Sequence, residues 1–334
     1  MDKVADTDID IIVTGARGFL GNHFLKVLPE GWKVTVIDKQ TYSGVNPVGN
    51  DYLMDISSPG SYEIIKSISP RYIVNFAAES HVDRSLDTYS SFLQSNTLGV
   101  ENLVKAARDA GVERFLQVST DEVYGPAGEE PFPEEAPLLP CNPYASSKAA
   151  GELVAMGYYR SDQVPVIITR GANTYGSKQY PEKLIPFFLT RLLQGKKVPL
   201  YGSGEQEREW ISVDDHCRGI LTALRKGTVG EIYNIGSGVH RSNLEITKKI
   251  LKVLGKSEDY VKYIEDPRGK SHDKKYSISS EKLRALGWAP GVTSIISTIT
   301  WYENHREWWE PLVEDKSYKD YVSNFYGKLL GEDL

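Results

Sequence analysis

Thr120, Asp121 and Glu122 put a hydroxyl and two adjacent carboxylates at one point of the chain, inside the string STDEVYG over residues 119–125. Two like charges held this close resist ionising together, so one of the pair can keep its proton at neutral pH. The arrangement is either an accident of a loop or an acid set beside a base. A second reactive pair follows in NPYASSK, where Tyr144 and Lys148 stand four residues apart. That spacing puts them on one helix face, behind Pro143 at a first turn. A free phenol has a pKa of about 10, too high for a base at neutral pH. A neighbouring ammonium, or a second cation beside it, would lower it by favouring the phenolate. Alone, Tyr-x-x-x-Lys is an ordinary surface pair. Its meaning depends on what else the chain carries.

The elements that must position these groups are legible as apolar runs. IDIIVTG, KVTVID, RYIVNFAA, RFLQVST and VPVIITRG are continuous rather than alternating in hydrophobicity, as expected of strands buried on both faces. Longer helical patterns lie between them, at 87–110 and 144–160, so a parallel sheet with helices on both faces is predicted. STDEVYG then falls where a strand ends and turns. Adjacent residues of a regular strand point apart, so the two acids converge only if the turn begins there.

The same logic reads VTGARGFLG. Gly15, Gly18 and Gly21 lie three apart, directly after the first strand and before a helix. A tight turn needs the first glycine; close approach of a pyrophosphate, and helix-to-sheet packing, need the others. The helix N-terminus adds unpaired N–H groups for the anion. The second strand ends in Asp38, at about the interval where an acid bonds the adenosine ribose. Asp38 also repels a 2'-phosphate, which favours NAD over NADP, although Lys39 beside it works the other way. Asp55 and Ile56 are candidates for the adenine rim, and a plain surface turn accounts for them nearly as well.

Composition narrows the class. The chain has 334 residues, 40% hydrophobic and 25% charged, with a net charge of −6. That length supports one large domain or two closely joined ones. Mild acidity argues against a nucleic-acid partner, which would call for a basic patch. Cys141 and Cys217 have neither CxxC nor metal-ligand spacing, so neither a disulfide framework nor a metal site is expected. With no apolar signal core and no membrane-length apolar run, a soluble cytoplasmic protein is expected.

Taken together, the motifs make the chain resemble the extended short-chain dehydrogenase/reductase superfamily and, within it, the dTDP-glucose 4,6-dehydratase family. TGARGFLG, NFAAESHVDRS, STDEVYG, NPYASSKA, YPEKLIP, EREWISVDDHCRGI and EIYNIGSG carry the likeness, from about residue 9 to about 290. The adjacent Asp-Glu pair is the most specific of these marks. The resemblance implies an α/β, Rossmann-type doubly wound parallel sheet over 8–176, which segments of 209–236 rejoin, and a smaller C-terminal lobe over 177–330. It implies NAD as cofactor, a nucleoside-diphosphate glucose as substrate and a homodimer built on the two long helical patterns.

Residue by residue, the likeness assigns Phe19, Leu20, Ala77, Ala78 and Asn96 to the cofactor site with the glycines. Ser80, His81, Asn173, Lys183, Leu184, Pro199, Tyr201, Arg208, Asn243, Arg268 and His272 fall to the substrate. Tyr144 would take the 4-hydroxyl proton, with Lys148 tuning it and Thr120 bonding near the 4-oxygen. Glu122 would be the base at C5 and Asp121 the acid toward the C6 hydroxyl. The chain departs from the family at Gly171, where a cysteine is usual, and at DPRGKSHDKKY, which has an insertion between Arg268 and His272. Alternatives are a UDP-glucose 4,6-dehydratase, a 4-epimerase or decarboxylase in which the acid pair is idle, and a catalytically silent NAD-binding sensor.

Overall fold

The computed structural model describes residues 9–41, 50–266, 275–292 and 294–331. Its strands are β1 (Asp10–Thr14), β2 (Lys33–Asp38), β3 (Asn50–Leu53), β4 (Tyr72–Asn75), β5 (Arg114–Thr120) and β6 (Val166–Gly171). There follow β7 (Asn173–Tyr175), β8 (Val198–Tyr201), β9 (Glu207–Ser212), β10 (Ile232–Ile235), β11 (His240–Ser242) and β12 (Val261–Ile264). Seven of them form one sheet in the order β10-β6-β5-β4-β1-β2-β3, and every neighbouring pair is parallel. This is the Rossmann-type sheet that the apolar runs predict. The sequence reading gave no β3, a short strand on the sheet edge whose Tyr52 and Leu53 side chains are exposed.

The continuous hydrophobicity of β4 and β6 follows from burial of every residue. One face of the sheet packs under helices Phe19–Val27 and Val213–Lys226, through Phe24, Ile220 and Leu224. The other face packs under Pro59–Ile68, Gly99–Ala110 and Pro143–Asp162, through Ile65, Leu103 and Ala155. The helical pattern before residue 110 is interrupted: a π-helical turn, Gln94–Leu98, leads into Gly99–Ala110. Such wide turns recur at functional sites, and this one carries Ser95 and Asn96.

The remaining strands build a smaller lobe, with one sheet ordered β11-β9-β7 and a β12–β8 pair. Its core is rich in aromatics, including Phe187, Tyr302, Trp309 and Tyr326. Among the described residues no helix is long and apolar enough to cross a membrane. In the large sheet Thr14 is in register with Ile37 and Asn75, and Thr120 with Gly171. The carboxyl ends of β1, β2, β4, β5 and β6 therefore lie along one edge, where doubly wound sheets bind ligands.

Candidate active site

Two clefts open along that edge, of about 300 and 210 Å³. They share Phe19, Leu20, Ser80, Gln179, Glu182 and Lys183 in their walls, and so adjoin. The smaller is lined by Gly15, Gly18, Gly21, Asp38, Lys39, Asp55, Ile56, Ala77 and Ala78. Gly15 has φ +69°, and a Cβ there would collide with the Ala77 backbone. A Cβ on Gly21 would collide with the Gly15 carbonyl, so this glycine brings the helix against the turn. A Cβ on Gly18 would meet only the Gly15 carbonyl oxygen, at 3.2 Å. The Arg17 main-chain N–H donates to Asp38 Oδ2 at 2.8 Å. Burial pushes the Asp38 carboxyl up to about 6, with the Arg17 N–H pulling it back. Lys39 bridges Asp55 at 3.3 Å and Glu79 at 3.5 Å. Open backbone at Gly18 and an acid lining the cleft from the end of β2 fit a dinucleotide.

The larger cleft receives the reactive groups. β5 ends at Thr120, and a 3₁₀ turn, Asp121–Tyr124, begins at the next residue. Both acids are thereby lifted out of strand alternation into the cleft wall. Thr120 Oγ1 accepts from the Glu122 N–H and donates to Asp121 Oδ1, each at 3.3 Å. Asp121 is 3% exposed, and its Oδ2 has no partner. Burial, then the Glu122 and Glu209 carboxylates, hold its carboxyl well above the ordinary range. Its charged form is therefore disfavoured, as suits a group that gives up a proton rather than takes one. Glu122 differs: its Oε2 accepts from Asn142 Nδ2 at 3.0 Å.

Tyr144 lines the same cleft, from the first turn of helix Pro143–Asp162. Its phenol behaves against expectation. Burial and the Glu122 carboxylate push it up, whereas the spacing to Lys148 predicts that it goes down. The reason is the position of Lys148, whose Nζ donates to the Val118 carbonyl at 2.7 Å. Burial lowers that ammonium to about 8, and Lys148 lines neither cleft. A cation arriving beside the phenol is what would bring it down.

A model described as the NAD dependent epimerase/dehydratase family matches residues 11–236. The chain belongs to the NAD-dependent epimerase/dehydratase family. It is 41% identical over 321 residues to the dTDP-glucose 4,6-dehydratase of Streptomyces niveus, covering 90% of this chain and 95% of that protein. The low-salt glycan biosynthesis protein Agl12 of Haloferax volcanii is 43% identical over 295 residues, covering 84% of this chain and 94% of Agl12. DesIV, a dTDP-glucose 4,6-dehydratase from Streptomyces venezuelae crystallised with NAD bound, superposes with a TM-score of 0.86 at 42% identity. That match covers 91% of this chain and 100% of DesIV.

In this epimerase/dehydratase chain Ser80, His81, Asn173, Lys183, Leu184, Pro199, Tyr201, Arg208 and Asn243 all line the larger cleft. The Arg208 guanidinium lies over the Tyr276 ring at 4.5 Å, and its Nη1 donates to the Glu207 carbonyl. Asn96 stands apart, because it lines neither cleft. Its amide exchanges two 2.9 Å hydrogen bonds with the Glu79 main chain and donates to Ser147 Oγ. It thus fixes the segment after β4 rather than touching the cleft. Arg268 and His272 lie outside the described residues.

Sequence reasoning missed His216, Thr174, Tyr276, Tyr326 and Asn142 in the cleft wall. A Cβ at Gly171 would collide with the His216 ring, so the space at the end of β6 is filled by an imidazole from helix Val213–Lys226. Thr174 Oγ1 spends its one proton on the Ala172 carbonyl, so it accepts from His216 Nδ1 at 2.7 Å. His216 Nε2 is then a bare acceptor, buried and without a partner, and burial lowers this histidine to about 4. Unpartnered buried atoms on Ser119, Asp121, Asn173 and His216 all belong to residues of this cleft. Such groups are costly unless a ligand meets them.

Proposed function

We propose that the chain is a dTDP-glucose 4,6-dehydratase, converting dTDP-glucose to dTDP-4-keto-6-deoxyglucose and water. The observation that carries this reading is the asymmetry of the acid pair. Asp121 is buried, with its carboxyl pushed up by burial and by the Glu122 and Glu209 carboxylates, while Glu122 beside it accepts an amide hydrogen bond, both in the cleft that holds Tyr144. Elimination across neighbouring carbons needs an acid and a base delivered together.

Bound NAD supplies a hydride acceptor for C4 and, after elimination, the hydride donor for C6. Tyr144 takes the proton of the 4-hydroxyl as C4 is oxidised, with Thr120 bonded to the 4-oxygen. The resulting ketone acidifies the C5 proton, which Glu122 removes. Asp121 gives its proton to the C6 hydroxyl, which leaves as water. Reprotonation at C5 completes the product. Arg208 suits the pyrophosphate, because a guanidinium fork pairs two phosphate oxygens. Residues 8–176, rejoined by β10, form the dinucleotide domain in this reading, and most of 177–330 forms the substrate lobe.

The deciding assay offers purified protein dTDP-glucose and UDP-glucose separately and follows the 4-keto product. Faster turnover of dTDP-glucose is expected, with no net consumption of external NAD. Preference for UDP-glucose, or accumulation of free reduced dinucleotide matching product, would sink the reading.

The protein also works as a homodimer in this proposal. Leu86, Tyr89, Leu93, Leu98 and Leu153 are exposed on the adjoining helices of 82–98 and Pro143–Asp162, an apolar surface suited to a twofold four-helix contact. Sedimentation at micromolar concentration should give twice the chain mass; a monomer there rejects the dimer. Cys141, exposed, and Cys217, buried, are not joined in a disulfide, in keeping with a reducing compartment such as the cytoplasm.

A further inference from the structure

Asn142 closes two hydrogen bonds with one side chain. Its Oδ1 accepts from the Ala145 main-chain N–H at 2.8 Å, capping the helix that carries Tyr144. Its Nδ2 donates to Glu122 Oε2 at 3.0 Å. The cap fixes which way the amide faces, because a main-chain N–H can be met only by the oxygen. The nitrogen is left toward Glu122, which must present a lone pair. Asn142 is 5% exposed and forms part of the cleft wall. Serine, aspartate or glycine would serve the cap alone, so capping does not account for an amide at this place.

We infer that Asn142 is a positioning residue for proton removal at C5, tying the carboxylate of Glu122 to the first turn of the helix that holds Tyr144. The inference rests on the dehydratase reading. C4 and C5 are bonded neighbours in the sugar, so the phenol and the carboxylate must keep one separation through two consecutive steps. A single planar amide sets it: the cap fixes Asn142 relative to the tyrosine, and the Nδ2 bond fixes Glu122 relative to Asn142. Proton transfer is sensitive to such placement, since donor and acceptor must lie within about 2.6–3.2 Å.

Two substitutions separate the amide's two duties. Asn142→Ser and Asn142→Gly are both tolerated at a helix cap, and neither restores the Nδ2 donor. In single-turnover reactions of holoenzyme with dTDP-glucose in D₂O, reduced-dinucleotide absorbance reads the C4 step and C5 deuteration reads the base. Both variants should keep the parental melting temperature and C4 step, while C5 deuteration slows by roughly tenfold, a fraction of what a whole base contributes. Parental deuteration in both variants overturns the inference. So does a loss shared equally by melting temperature, C4 oxidation and deuteration, which is the signature of a cap alone. A parental enzyme that neither oxidises nor deuterates dTDP-glucose removes the dehydratase reading itself, and the inference with it; the other two outcomes remove only the role of Asn142.

Discussion

Asp38 and Asp121 are two buried acids, one in each of the adjoining clefts, 8% and 3% exposed, and they are treated differently. Asp38 receives a main-chain N–H at 2.8 Å, and the Arg17 and Lys39 charges favour its ionised form. Asp121 has a 3.3 Å bond from Thr120 on one oxygen and nothing on the other, with two carboxylates raising it against the weaker pull of the Arg208 guanidinium. Burial raises both; the donors decide how far. A carboxyl meant to hold ribose hydroxyls has to be ionisable near neutrality, and one meant to release a proton has to retain it until needed. Burial is the largest influence on both, and hydrogen-bond donors and neighbouring charges then set the two carboxyls apart.

Removing the acid end should have the larger consequence. Glu122→Gln should still permit oxidation at C4 but leave C5 without a base, so bound reduced dinucleotide appears while C5 deuteration falls roughly 10²–10⁴-fold. Asp121→Asn should keep C5 exchange and slow loss of the C6 hydroxyl by a similar factor, roughly 10²–10⁴-fold. Tyr144→Phe serves as the control that stops the first step. If both carboxylate variants dehydrate at the parental rate, the contrast between the two acids has no catalytic meaning.

The Asp38 end should give a smaller effect, read as stability against pH. The ordinary value for this carboxyl is 3.8 and burial raises it to about 6 in the folded protein. Between these values the unfolded chain has released its proton and the folded one has not, so stability falls as pH rises. The loss is complete above about 6 and amounts to about 3 kcal/mol, at roughly 1.4 kcal/mol per pH unit. Denaturant titrations of dinucleotide-free protein across this window should show that slope in the parent and not in Asp38→Asn. An identical slope in both would move the contrast elsewhere. The same variant should narrow the preference for NAD over NADP by about 1 kcal/mol, the value of one hydrogen bond, with Lys39 already moderating it from the adjacent position.

What the sequence made legible is what local chemistry dictates. The parallel sheet was readable from continuous apolar runs, because strands covered on both faces have no polar side to alternate with. Gly15, Gly18 and Gly21 were readable because a backbone turn imposes its residue type at fixed spacing. The convergence of Asp121 and Glu122 was readable as a strand that has to end, and β5 does end at Thr120. What could not be read depends on long-range placement. His216 fills the space above Gly171 from a helix 45 residues further on, and no spacing rule links the two. Lys148 has the expected helical offset from Tyr144, yet the offset does not say that Nζ is claimed by the Val118 carbonyl. Tyr276 and Tyr326 reach the cleft only through packing of the second lobe, whose aromatic residues carried no period to follow.

The sheet order has a consequence for how the chain is made. β6 is buried along its whole length and its outer neighbour is β10, which follows β7, β8 and β9 in the chain. During synthesis the β6 edge therefore emerges unpaired, and its partner follows only after much of the second lobe. At roughly 5–20 residues per second that interval is on the order of 3–13 s. Throughout it, an apolar strand edge of the kind that recruits other chains stands open. A nascent chain stalled between these two strands should be the species most in need of a chaperone.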